Sequence, residues 1–111
     1  VSKLRTLSSD KEFKYLFKNS RKLEDSLFKL WFARNDKFFS RFVFTVPVSV
    51  DKRSVVRNRL KRRAKEWVRK NFQNKNEKNL DIMLYFKKDT SKLTRKSFYE
   101  ELNKIFKQVF D

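Results

Sequence analysis

Glycine, histidine and cysteine are all absent from this 111-residue chain, and proline occurs once. Without cysteine there are no disulfides, thiolate metal sites or cysteine nucleophiles, a usage that fits a reducing compartment. Without histidine the commonest general base and the usual zinc ligand are missing together. Without glycine neither a P-loop nor a G-x-G-x-x-G turn can form, which excludes nucleotide cofactors held by such loops. No apolar run approaches the roughly 20 residues that span a bilayer, so no membrane partner is expected. The opening residues, VSKLRTLSSD, lack the apolar core of a signal peptide, and a cytoplasmic protein is expected.

Acids are scarce as well. There are 13 Asp and Glu against 30 Lys and Arg, a formal charge of +17. Like charge at that density opposes a compact state and is tolerated where a polyanion cancels it. A polyphosphate partner is the first expectation. The chain is nevertheless 39% apolar with 13 Phe, enough greasy surface to offset the ordering entropy of one small domain, residues 1–111, with a modest core.

Helical and strand periodicities alternate along the chain. Ser9 and Glu12 form an S-x-x-E capping box before Phe13, Leu16 and Phe17, predicting a first helix to about Asn19. Leu27 to Arg34 is aromatic-rich and predicts a strand, with Asn35 and Asp36 as turn formers. Arg41 to Val48 predicts a second strand, with room for a short edge strand before Leu27. Pro47 lacks the N–H a ladder needs, which implies an edge strand or an ending ladder, so that second strand should stop near it. Ser54 can cap a second helix whose Val56, Leu60, Ala64, Trp67 and Val68 recur at steps of three and four, ending about Asn71. Gln73 to Asn79 is a polar loop, and Leu80 to Phe86 is apolar enough for a central strand buried on both faces. Thr94 caps a last helix carrying Phe98, Leu102, Ile105, Phe106 and Val109. The expected class is α+β, in the order helix, strands, helix, strand, helix, with the helices packed on a central four-stranded sheet.

The second helix carries the clearest functional signal. Lys52 to Lys70 holds ten Lys or Arg and one acid, Glu66. At 100° per residue Val56, Leu60, Ala64 and Trp67 fall on one side, and Asn58, Arg62, Lys65 and Arg69 on the other, flanked by Arg57 and Lys61 and by Arg59 and Glu66. A merely solvated helix interleaves both signs, whereas this one sets like charges side by side at a cost. Guanidinium forks in a rigid row suit phosphate oxygens. The residues therefore point to a nucleic-acid backbone, most of all that of a structured RNA. Duplex DNA is not expected, because nothing resembles a helix-turn-helix pair or a dimer seam. Aromatics provide a second candidate surface. Phe13 and Phe17 lie four apart on the first helix, strand residues Phe28, Leu30, Trp31 and Phe32 alternate across two faces, and large aromatics are numerous for so small a core. Aromatic platforms beside cations hold unpaired bases, although packing is the expected role of most of them.

Arg57, Asn58, Lys61, Arg62 and Lys65 spell R-N-x-x-K-R-x-x-K within VVRNRLKRRAKEW. This closely resembles the signature of the bacterial ribonuclease P protein component, and the first helix, DKEFKYLFKNS, resembles that family's first helix in carrying Phe13 and Phe17. The resemblance implies a subunit that binds ribonuclease P RNA and precursor tRNA during removal of the 5′ leader. Phe13, Phe17 and Trp31 would line a cleft for the unpaired leader. It also implies that the RNA subunit performs catalysis and holds most of the Mg2+. Two departures stand out: the stretch before the motif, VPVSVDKRS, has no glycine, and Lys65 replaces a frequent Arg, keeping the charge while losing the fork. No catalytic set of this chain's own is expected, since Asp25, Asp36, Asp51, Asp81 and Asp89 are scattered singly and Glu100 and Glu101 lie on the last helix. No metal ligands can be named from the sequence. The alternative is a structural RNA-binding protein, such as a small ribosomal protein, which would share size, charge and class.

Overall fold

The computed structural model describes residues 10–35, 37, 40–71 and 79–110. Its elements are α1 (Asp10–Asn19), β1 (Arg21–Glu24), β2 (Phe28–Arg34), β3 (Arg41–Thr45), α2 (Ser54–Asn71), β4 (Leu80–Phe86) and α3 (Arg95–Phe110). The strands form one sheet in the order β1-β2-β4-β3, with β1–β2 and β2–β4 antiparallel and β3–β4 parallel. This is the expected α+β arrangement, including the short edge strand. Ser9, Asp36 and most of the polar loop from Gln73 lie outside the described residues.

Two boundaries differ from the expected ones, each for a local reason. The strand expected from Leu27 starts at Phe28, because Asp25 Oδ1 accepts the N–H groups of both Leu27 and Phe28 at 2.8 Å and closes the β1–β2 turn. The strand expected to reach Val48 stops at Thr45. Pro47 cannot donate, and its carbonyl accepts from Val50 N at 3.0 Å, turning the chain toward α2. Of the two readings Pro47 allowed, both are met: the ladder ends before it, and β3 is an edge strand.

Side chains alternate across the sheet. One face, bearing Phe28, Leu30, Phe42, Phe44, Ile82, Leu84 and Phe86, packs against Leu60, Ala64, Trp67 and Val68 of α2 and Phe98, Leu102, Ile105 and Phe106 of α3. The other face is covered only in part, by α1. There Leu16 is fully buried with Ala33 and Met83, while Phe13, Trp31 and Val43 pack at its edge. The partial cover leaves a cleft beside α1.

Candidate nucleic-acid interface

α2 presents its basic side because its apolar stripe is fully used. Leu60, Ala64 and Val68 have no exposed surface, and the opposite residues Asn58, Arg59, Arg62 and Lys65 are exposed, with Lys61 partly so. Among the described residues Arg59, Lys61, Arg62 and Lys65 make no ion pair, which leaves four cations in a row. The two ends of the predicted set are engaged. Arg57 turns back on the preceding loop, its Nη1 donating to the carbonyls of Asp51 (2.9 Å) and Lys52 (2.7 Å). Arg69 donates to Glu66, and this hydrogen bond, the largest cause, holds the Glu66 carboxyl below the usual range. Asn58, Arg59, Lys61, Arg62 and Lys65 thus form the open middle of the surface. Arg63, not singled out by the sequence, lies with its guanidinium 5.0 Å from the Phe98 ring centroid and fastens α2 to α3.

The entry to α2 is held by its own acid. Asp51 accepts from Arg53 N at 2.8 Å and pairs with the Arg53 guanidinium at 3.0 Å, and this contact keeps the Asp51 carboxyl low. The first helical bond runs from Arg57 N to Arg53 O, so Arg53 takes the cap position and Ser54 is one step inside, a correction to the expected cap. At α3 the expectation holds: Thr94 Oγ1 accepts from Ser97 N at 3.1 Å.

The second surface lies on the face that α1 shares. Across the strands Ala33, Asp81 and Arg41 form one row, Lys22, Trp31, Met83 and Val43 the next, and Glu24, Lys29, Tyr85 and Thr45 a third. The α1 cluster uses members of the first two rows and none of the third. Phe17 is 50% exposed and meets Trp31 edge-on at 5.8 Å, while Trp31 meets Tyr85 edge-on at 6.1 Å. Lys22 stands 5.9 Å from the Trp31 ring centroid and Lys29 5.8 Å from that of Tyr85. The acid at this edge, Glu24, is bound by Lys87 at 2.7 Å and Lys22 at 3.3 Å, with Lys87 the chief cause of its lowered pKa. The three predicted cleft residues do come together. Phe13 and Trp31 are both partly buried against the Leu16 group, and Phe17 is the exposed member of the three. Sequence reasoning missed Tyr85, Lys22 and Lys29. Alternation puts Tyr85 on the face of Met83, but only the β2–β4 register brings it beside Trp31.

α1 is tied down by one largely enclosed cation. Arg41 makes two 2.7 Å bonds to the carboxylate of Asp81, which is 1% exposed, and pairs with Glu12 of α1. Asn35 Nδ2 adds a 2.8 Å bond to Asp81. Asp81 chiefly raises the Arg41 pKa, so the guanidinium stays charged at any physiological pH. Among the described residues no three acids come together as a metal site, and no helix is long and apolar enough to cross a membrane.

A basic helix on one face of an αβββαβα sheet and an aromatic cleft on the other match a known architecture. The family model for ribonuclease P matches residues 1–109. The chain belongs to the ribonuclease P protein family. The ribonuclease P protein component of Fusobacterium nucleatum subsp. nucleatum is 32% identical over 108 residues, covering 94% of this chain and 96% of that protein. Among solved structures, the ribonuclease P protein of Thermotoga maritima superposes with a TM-score of 0.79 at 25% identity, covering 94% of this chain and 96% of its own. That of Staphylococcus aureus shares the fold, with a TM-score of 0.74 at 17% identity and 96% of each chain covered. As a ribonuclease P protein the chain is a subunit of the ribonucleoprotein that processes the 5′ end of tRNA, its partner is ribonuclease P RNA, and catalysis belongs to that RNA.

Proposed function

We propose that this subunit divides its work between two faces: α2 docks on ribonuclease P RNA, and the cleft beside α1 receives the single-stranded 5′ leader of precursor tRNA. The observation that carries the proposal is the placement of the free charge. Asn58, Arg59, Lys61, Arg62 and Lys65 stand opposite a fully buried stripe, so α2 cannot turn its cations elsewhere without undoing the core. Arg57 and Arg69 flank this row and meet phosphate at its ends. In the cleft, Phe13 supports Phe17 from below, and unpaired bases stack among Phe17, Trp31 and Tyr85 while Lys22 and Lys29 neutralise the strand.

The residues of this chain bind, orient and screen. Two RNAs brought together repel, and a surface of +17 between them removes much of that repulsion. The Mg2+ of the reaction supplies charge stabilisation and an activated water, and is held mainly by the RNA subunit. Glu12 and Asp81 come together on Arg41, and both are committed to it. The setting for this assembly is the cytoplasm. Reconstitution with a bacterial ribonuclease P RNA tests the proposal: adding the protein should lower the Mg2+ and the ionic strength needed for leader removal. An unchanged threshold for both would refute it.

A further inference from the structure

α1 has a second flank. Tyr15 stands 200° from Phe17 around the helix, so it faces away from the Trp31 cleft, and it is 52% exposed. Two hollows meet at its ring. One, of about 430 Å³, is lined by Lys11, Tyr15, Lys37 and the Arg41–Asp81 pair. The other, of about 630 Å³, lies between Tyr15, Arg21, Arg34 and Gln108. Both volumes fall in the usual range for small-ligand sites. The acids of this wall, Glu12 and Asp81, share Arg41, so the trio carries one net negative charge, outnumbered by Lys11 and Lys37 in the same lining. Lys11, Arg21 and Arg34 are exposed and have no ion pair among the described residues. An exposed ring with unpaired cations on either side is the arrangement that holds an unpaired nucleic-acid strand.

Topology indicates which strand. Arg34 pairs with Leu80, the first residue of β4, and Asn35 N donates to Asn79 O at 2.9 Å. β4 runs parallel to β3 and α2 is the crossover element between them, so α2 runs back along the sheet and its C-terminal end, with Arg69 and Lys70, lies toward the end where β4 begins. The molecule measures only 37 × 27 × 27 Å, so an RNA lying along α2 is within reach of the groove. The leader, by contrast, is assigned to the opposite flank of α1.

We propose that the Tyr15 groove binds an unpaired segment of ribonuclease P RNA, with one base stacked on Tyr15 and adjoining phosphates held by Arg21 and Arg34 on one side and Lys11 on the other. The assignment rests on the docking of α2 to that RNA and adds a second contact to it.

The test uses the full chain and a bacterial ribonuclease P RNA without substrate. Tyr15→Ala should weaken binding roughly tenfold, the worth of one base stack, while Tyr15→Phe stays near wild type. Arg21→Gln with Arg34→Gln should reduce the salt-dependence slope by roughly 1.4, two single-strand contacts at about 0.7 each. Thermal melts of all variants check that the fold is intact, and the arginine pair, being exposed, keeps the test readable if Tyr15→Ala melts early. Arg59→Ala with Arg62→Ala serves as the reference for α2. A flattened slope in that pair with none in Arg21/Arg34 overturns the groove and leaves the α2 reading standing; no change in either pair overturns both. A second arm compares precursor tRNAs with long and one-nucleotide leaders on the holoenzyme. Loss that appears only with the long leader overturns the proposal and makes the leader the occupant.

Discussion

Leu16 and Phe17 are neighbours on α1 with opposite surroundings: the first is wholly buried, the second half exposed against Trp31. Leu16→Ala should cost about 2–5 kcal/mol in a denaturant titration, the transfer term plus a cavity. Phe17→Ala should cost about 1 kcal/mol or less in the same titration, yet weaken holoenzyme binding of a leader-bearing precursor tRNA more than that of leaderless tRNA. Equal weakening of both substrates would make Phe17 a packing residue. Tyr85→Ala should show the same leader dependence, since Tyr85 continues the platform from Trp31. At this scale the sequence was legible where a residue's role depends on its own element. Helical spacing brings out Phe13 and Phe17, whereas Trp31 stands out from the other aromatics of its strand only through the family resemblance. It was not legible for Tyr85, whose neighbour across the sheet is fixed by a register between strands some fifty residues apart, nor for Arg57, whose partners are carbonyls of a loop shaped by the turn at Pro47.

Among the elements, α1 depends most on its fastening. Ten residues are too few for a stable helix in water, so α1 relies on Leu16, on Phe13 and on the Glu12–Arg41 pair. The two acids on Arg41 are not equivalent. Asp81 is buried and Glu12 partly exposed, so Arg41→Met strands a buried carboxylate and should cost about 3–5 kcal/mol. Glu12→Gln leaves Arg41 and Asp81 paired and should cost about 1 kcal/mol, while hydrogen exchange quickens in the α1 amides more than in β2 or β4. Uniform quickening would mean that the pair serves the whole sheet and not α1. Sequence patterns gave the phase of α2 correctly, because 18 residues with a clear apolar stripe admit one orientation. Its span is Ser54–Asn71 as expected, but the capping carbonyl belongs to Arg53, one residue before the serine. Serine before an apolar run marks a helix start only to within about a residue, and here the Asp51–Arg53 turn decides which carbonyl accepts the first bond. Thr94 has no such competitor and caps α3 as expected.

For the molecule as a whole, the sheet separates two tasks. α2 stands on the face buried with α3, and the Phe17–Trp31–Tyr85 cleft opens on the other, so damage to one need not reach the other. Composition announced a polyanion, but +17 spread over 111 residues could not say where it binds. The burial of one stripe of α2 and the half-covered second face of the sheet supply that answer. The most direct measurement is a crossed comparison at fixed salt, in which Arg59→Ala/Arg62→Ala and Phe17→Ala/Trp31→Ala are each assayed for binding to ribonuclease P RNA and, with that RNA held saturating, for the gain in precursor tRNA affinity a leader provides. The α2 pair should weaken RNA binding and flatten its salt slope by roughly 1.4 to 1.8 while sparing the leader gain, and the cleft pair should do the reverse. Variants that lose both properties in parallel would contradict the division between the two faces.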